Sequence, residues 1–66
     1  MNDIRLKDAT RILKKNGYVL EYVNGSHYQF FNENRRRITL PFHINRKNSC
    51  SAVIWNKTVK EYNIKY

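Results

Sequence analysis

Asn24-Gly25, set between residues 18–23 and 26–31, is the feature that most restricts how this chain can fold. Both flanking runs are rich in aromatic and β-branched side chains, which suit a pleated, half-buried surface. An Asn-Gly pair between two such runs supplies the positive φ angles that fold a strand back on itself as a hairpin. A third run, 37–40, follows the polar turn Asn32-Glu33-Asn34-Arg35-Arg36 and stops at Pro41, which has no N–H to extend a ladder. The expected centre is a three-stranded antiparallel meander. Ahead of it, over residues 4–15, Leu6, Ala9, Ile12 and Leu13 recur at helical spacing. Asn2 or Asp3 is the expected N-cap, Lys14 and Lys15 fill the last turn, and Asn16-Gly17 supplies the stop. After the meander, residues 42–48 read as a loop, and Ser49 or Ser51 caps a second helix carrying Ala52, Trp55, Val59 and Tyr62. The β-branched Val53, Ile54, Thr58 and Val59 lower the propensity of that helix, a deficit that packing overrides.

Side-chain alternation then selects a hairpin register. A loop of Asn24-Gly25 alone sets Tyr22 against His27 and Glu21 against Tyr28, which mixes polar and apolar groups on both faces. A three-residue turn, Val23-Asn24-Gly25 with Gly25 at the bulge position, instead pairs Tyr22 with Ser26, Glu21 with His27 and Leu20 with Tyr28. One face then carries Tyr18, Leu20, Tyr22, Tyr28, Phe30, Ile38 and Leu40, and the other Val19, Glu21, His27, Gln29, Arg37 and Thr39. The expected fold is α+β, a two-layer α-β-β-β-α sandwich with both helices on the apolar face and the other face open to solvent.

With 66 residues there is room for one domain spanning 1–66, whose small size requires nearly every large apolar side chain in one core. Such a core does not account for the charge: 13 Lys and Arg against 5 Asp and Glu give +8, which favours a polyanionic partner, nucleic acid first. One cysteine and two histidines leave no disulfide framework and no closed zinc set. No apolar run approaches the roughly 20 residues that span a bilayer, and the N-terminus lacks the apolar core of a signal peptide, so a cytoplasmic protein without membrane contact is expected.

His27 stands out because the expected open face places its imidazole beside Glu21, Gln29 and Arg37. A lone exposed histidine is more often inert than catalytic. Here the adjoining Gly25 admits a bulky ligand close to the backbone, and Ser26 offers a hydroxyl. Arg35, Arg36 and Arg37 present guanidiniums suited to phosphate, with a merely solvated turn as the competing reading. The five acids are scattered, which disfavours two-metal nuclease chemistry, and neither a P-loop, a GxSxG elbow nor a dinucleotide fingerprint occurs. Cofactor-free and metal-free RNA cleavage stays feasible. Its nucleophile is the substrate's own 2′-OH, so an imidazole and cationic donors suffice. Glu21, if opposite His27, would orient the ring.

The order KKNG, an aromatic and a strand, VNGSHYQF, then RRRITLPFH, with His43 two residues after Pro41, resembles the HicA toxins of type II toxin-antitoxin systems over residues 7–43. The resemblance implies a double-stranded-RNA-binding-domain-like fold, cleavage of messenger RNA and neutralisation by a HicB antitoxin that covers His27. It places the catalytic histidine at His27, within Gly25-Ser26-His27. The chain departs from the family pattern beyond His43: Arg46-Lys47 keeps the basic loop, but Ser51-Ala52-Val53 stands where Gly-Thr-Leu is usual, and Asn56-Lys57 where an apolar pair is usual. His43 reads as structural more readily than catalytic. In the resulting picture His27 transfers the proton, Arg35, Arg36 and Arg37 bind phosphate, and Lys14, Lys15, Arg46 and Lys47 hold flanking RNA. The rival readings are a non-catalytic double-stranded-RNA-binding module of the same fold, and a pure interaction protein whose basic face meets an acidic partner.

Overall fold

Ala9, Ile12 and Leu13 form one apolar stripe on the first helix, and burying that stripe organises the molecule. In the computed structural model, which describes residues 3–43 and 48–66, the chain runs β1 (Ile4–Arg5), α1 (Leu6–Lys15), β2 (Val19–Asn24), β3 (His27–Phe31), β4 (Arg37–Pro41), β5 (Ser49–Cys50) and α2 (Ala52–Tyr62). β2, β3 and β4 form an antiparallel sheet with β3 in the middle. Phe30, Ile38 and Leu40 project from it into a core shared with the α1 stripe, Trp55 of α2, Tyr18, Phe42, Cys50 and Ile64. The expected α+β sandwich is therefore present, with both helices packed into the same layer.

The start of the first helix differs from expectation. Ile4 and Arg5 are extended and pair with Cys50 and Ser49, forming a second, two-stranded sheet that the sequence pattern does not announce. Arg5 takes the N-cap position with no side-chain cap bond, and the Leu6 amide is satisfied by the Asn48 carbonyl at 2.8 Å. Asp3 is thus not the cap, and Asn2 lies outside the described residues. A tertiary carbonyl thus takes one of the backbone donors left open at this helix start.

α2 begins as the serine pattern allows: Ser51 is the N-cap, its hydroxyl accepting from the Val53 amide at 3.1 Å, while Ser49 is buried in β5. Trp55 and Thr58 are the buried residues of this helix, with Val59 and Tyr62 half-buried against the core. It ends at Asn63, which sits in the left-handed region at φ 55°. Asn16, the residue that stops α1, also fastens the C-terminal tail. Its amide nitrogen donates to the carbonyls of Ile12 and Lys65, both at 2.8 Å, and its oxygen accepts from the Lys65 amide at 2.9 Å.

The hairpin register also departs from the three-residue turn. Asn24 pairs with His27, Val23 with Tyr28 and Tyr22 with Gln29, so the loop is Gly25-Ser26. Gly25, at φ 64°, is its first central residue, the position where a type II′ turn requires positive φ. A bulge between Leu20 and Tyr22 then absorbs Glu21 and restores Leu20 opposite Phe30. The odd residue needed to keep Leu20 in the core is real, but it sits inside the strand and not in the turn. Tyr22 consequently leaves the core face, and Glu21 does not oppose His27.

Two measurements test this packing. Phe30 is fully buried on the central strand, so Phe30→Ala is expected to cost about 3–5 kcal/mol in urea unfolding, enough to depopulate the native state of so small a domain. Burial, reinforced by the negative charge of Asp3, pushes the Cys50 thiol from 9.0 up to about 11. The unfolded chain therefore releases this proton first on raising the pH, and the stabilisation the buried thiol provides, complete below pH 9, is lost as pH rises to 11. Folded protein is expected to resist thiol alkylation at pH 8 and to react once urea unfolds it.

Candidate active site on the open sheet face

The Gly25-Ser26 turn and the parity of β3 decide where His27 points. Tyr28 and Phe30 alternate into the core layer, so His27, Gln29 and Phe31 lie on the opposite face, paired across β4 with Pro41, Thr39 and Arg37. His27 is exposed, yet its backbone is held between two neighbours: Asn24 on one side and Pro41 on the other. The ladder closes beyond it with the Phe42 amide donating to the Ser26 carbonyl at 2.8 Å. A central strand thus supplies a rigid mount for a solvent-facing imidazole.

Glu21, expected beside the imidazole, is committed elsewhere. Arg35 donates from one guanidinium nitrogen to both of its carboxylate oxygens, at 3.1 and 3.0 Å, and lies 4.5 Å above the Phe31 ring. Phe31 is four positions along β3 from His27, a separation of about 13 Å at ~3.3 Å per residue. Glu21 is therefore a partner of the arginine turn at the far end of the sheet, not an orienting group for His27.

The three arginines part company as well. Asn32 builds their turn, its side-chain oxygen accepting from the amides of Asn34 at 3.0 Å and Arg36 at 2.8 Å, and Arg35 takes a left-handed φ of 62°. Arg35 is bound to Glu21, whereas Arg36 stacks 4.6 Å over the Tyr62 ring on the helix layer. Arg37 belongs to the open face, opposite Phe31, with its carbonyl accepting from the Tyr62 hydroxyl at 3.1 Å. Lys14 and Lys15 are exposed at the end of α1, away from this face, and Arg46 and Lys47 lie outside the described residues. The expected basic cluster is thus divided: Arg36 turns to the helix layer, while Arg37 and the Glu21-bound Arg35, stacked on Phe31, stand at the far end of the face that carries His27.

His43 is exposed and bridged to Ser49, its carbonyl accepting from the Asn48 amide at 2.9 Å. With Gly25, Ser26, Tyr28 and Phe42 it lines a cleft of about 300 Å³ at the turn end of the sheet. A larger open groove of about 670 Å³, lined by Asp3, Asp8, Arg11, Trp55 and Tyr66 among others, contains neither His27 nor any arginine of the triplet. Among the described residues no group of three or more His, Cys, Asp or Glu side chains is placed to hold a metal ion, and no helix is long and apolar enough to cross a membrane. The residue that sequence alternation missed is Tyr22. The Gly25-Ser26 register sets it on the His27 face while the bulge returns Leu20 to the core, and a local sign is the interrupted alternation of Leu20-Glu21-Tyr22-Val23.

The family described as HicA toxin of bacterial toxin-antitoxin systems matches residues 6–48, about two thirds of the chain. The chain belongs to the HicA toxin family. Its HicA span opens at the first residue of α1 and takes in the hairpin, Gly25-Ser26-His27 and the arginine turn, while α2 lies beyond it. No curated protein and no solved structure matches the chain. As a HicA family member it is the toxin of a toxin-antitoxin system and implies an antitoxin partner.

Because the Glu21–Arg35 pair is solvent-exposed, its direct contribution is small, with about 0–1 kcal/mol expected. Glu21→Gln should shift the urea midpoint only slightly, and it should leave any His27-dependent activity intact. A large loss of activity on this substitution would place Glu21 back at the imidazole.

Proposed function

We propose that this HicA family toxin is a metal-independent RNA endonuclease that cleaves messenger RNA and so blocks translation in the cytoplasm. The observation that carries the reading is His27, an exposed imidazole fixed on the central strand directly after a positive-φ glycine turn. The imidazole takes the proton of a ribose 2′-OH as that oxygen attacks the adjacent phosphorus. The imidazolium returns the proton to the leaving 5′-oxygen, giving a 2′,3′-cyclic phosphate and a 5′-hydroxyl. Gly25 keeps the approach to the backbone open, since nothing lies within 4 Å of where its Cβ would stand. Ser26 completes the motif and fixes the last rung of the ladder through its carbonyl.

Electrostatics supports binding more than chemistry. Arg37 stands at the far end of the open face from His27, so its role is to hold phosphate along the RNA, not to neutralise the reacting group. The charge of +8 adds a general attraction for the polyanion, to which Lys14, Lys15, Arg36, Arg46 and Lys47 contribute. A HicB-like antitoxin would silence the toxin by covering His27, and an acidic contact surface would suit this charge.

His27→Ala tests the reading. The residue is exposed, so the variant should keep the native circular dichroism spectrum while growth arrest and RNA decay disappear, a loss of at least about 100-fold expected for removing a proton-transfer group. Chelator should leave wild-type cleavage unchanged. Undiminished cleavage by the folded variant would overturn the assignment, and tight RNA binding without any cleavage by the wild type would favour a non-catalytic RNA-binding module.

A further inference from the structure

We propose that Tyr22 is a stacking platform for an unpaired base, so that the protein takes single-stranded RNA laid across the open face of its sheet, an inference that rests on the RNA-directed reading of His27. The two-residue Gly25-Ser26 turn sets Tyr22 opposite Gln29 on the open face, one row along from His27, and the bulge at Glu21 lets Leu20 return to the core layer without drawing Tyr22 with it. Tyr22 is 55% exposed, so its side chain is open to a partner on that face. Phe31, the other aromatic residue on that face, is already capped by Arg35 at 4.5 Å. The free ring is therefore the one beside the imidazole.

The occupant follows from charge and from chemistry. Arg37 lies on the same face, and a chain of net charge +8 attracts a polyanion. A duplex offers phosphates and base edges, because each base face is already stacked on its neighbour, and a protruding ring finds nothing to lie against. An unpaired base presents a full π face, and the sequence tolerance of stacking suits a toxin acting on many messages. The proposed attack also needs the 2′-oxygen, phosphorus and 5′-oxygen in line, an arrangement that a regular A-form backbone does not adopt and an unpaired strand reaches easily. The parity of the sheet thus brings a base platform and a proton acceptor to adjoining rows of one surface.

The test uses fluorescence anisotropy with a short, unstructured 2′-O-methyl RNA, which cannot be cleaved, and with the same sequence as a duplex. Tyr22→Ala is expected to weaken single-strand binding about tenfold while Tyr22→Phe retains it, and duplex binding should be weaker than single-strand binding and unaffected. A single abasic site scanned along the oligonucleotide should reproduce the loss at one position in the wild type and have no further effect in Tyr22→Ala. Thermal unfolding of the variants guards against loss of fold. The proposal is overturned if Tyr22→Ala binds the single strand as tightly as the wild type, or if the duplex is preferred. It is also overturned if the substitution weakens only antitoxin capture, which would assign the ring to a protein interface. If binding depends on Tyr22 while an all-ribose oligonucleotide stays intact, the platform stands and the cleavage reading falls.

Discussion

Side chains in a strand alternate between two faces, so a sheet covered on one side tolerates no slip of a single residue. In this chain the requirement meets a two-residue turn at Gly25-Ser26 that, continued without correction, would send Leu20 to solvent. The bulge at Glu21 removes the conflict. Below it Leu20 lies opposite Phe30 in the core layer; above it Tyr22, Asn24 and His27 occupy the open face. The same inserted residue supplies the carboxylate that holds Arg35 over Phe31, so turn and bulge together set the core, the composition of the exposed face and the partner of Arg35.

The two helices serve that sheet. They contribute Ala9, Ile12, Leu13 and Trp55 to one side and leave the other free, which is why a domain with so little interior can still expose a whole sheet face. Its ends are tied by long-range contacts in place of local ones: Asn48 to the start of α1, Asn16 to the C-terminal tail, and Tyr62 to the backbone of Arg37. With few residues to bury, several of these single hydrogen bonds join segments far apart in the chain. They hold the helix layer in register with the sheet, and thereby fix the site's scaffold from behind.

The candidate site is correspondingly sparse. His27 is held by the central strand, with Gln29 and Tyr22 in the next row and Arg37 at the far end. Cleavage of RNA by its own 2′-OH fits such economy, since the substrate brings the nucleophile and the protein need only move a proton and keep the strand in place. The dispersal of the other basic residues, Arg35 to Glu21 and Arg36 to Tyr62, restrains any account in which every arginine of the triplet touches the reacting phosphate.

Much was legible in the sequence because it depends on local spacing. The α1 stripe, the Gly17 stop, the meander, the Ser51 cap, the core positions Phe30, Ile38 and Leu40, and the exposure of His27 all follow from periodicity and turn chemistry. The resemblance carried by Gly25-Ser26-His27 and its neighbours pointed to the HicA family, to which the chain belongs. Tertiary structure alone decided the placement of the bulge, the pairing of Ile4–Arg5 with Ser49–Cys50 and the partner of each arginine. The physical reason is common to all three. An extra residue in the turn or in the strand returns Leu20 to the core equally well. A two-residue strand carries no periodicity, and a long cation selects among carboxylates and rings that only the folded chain brings within reach.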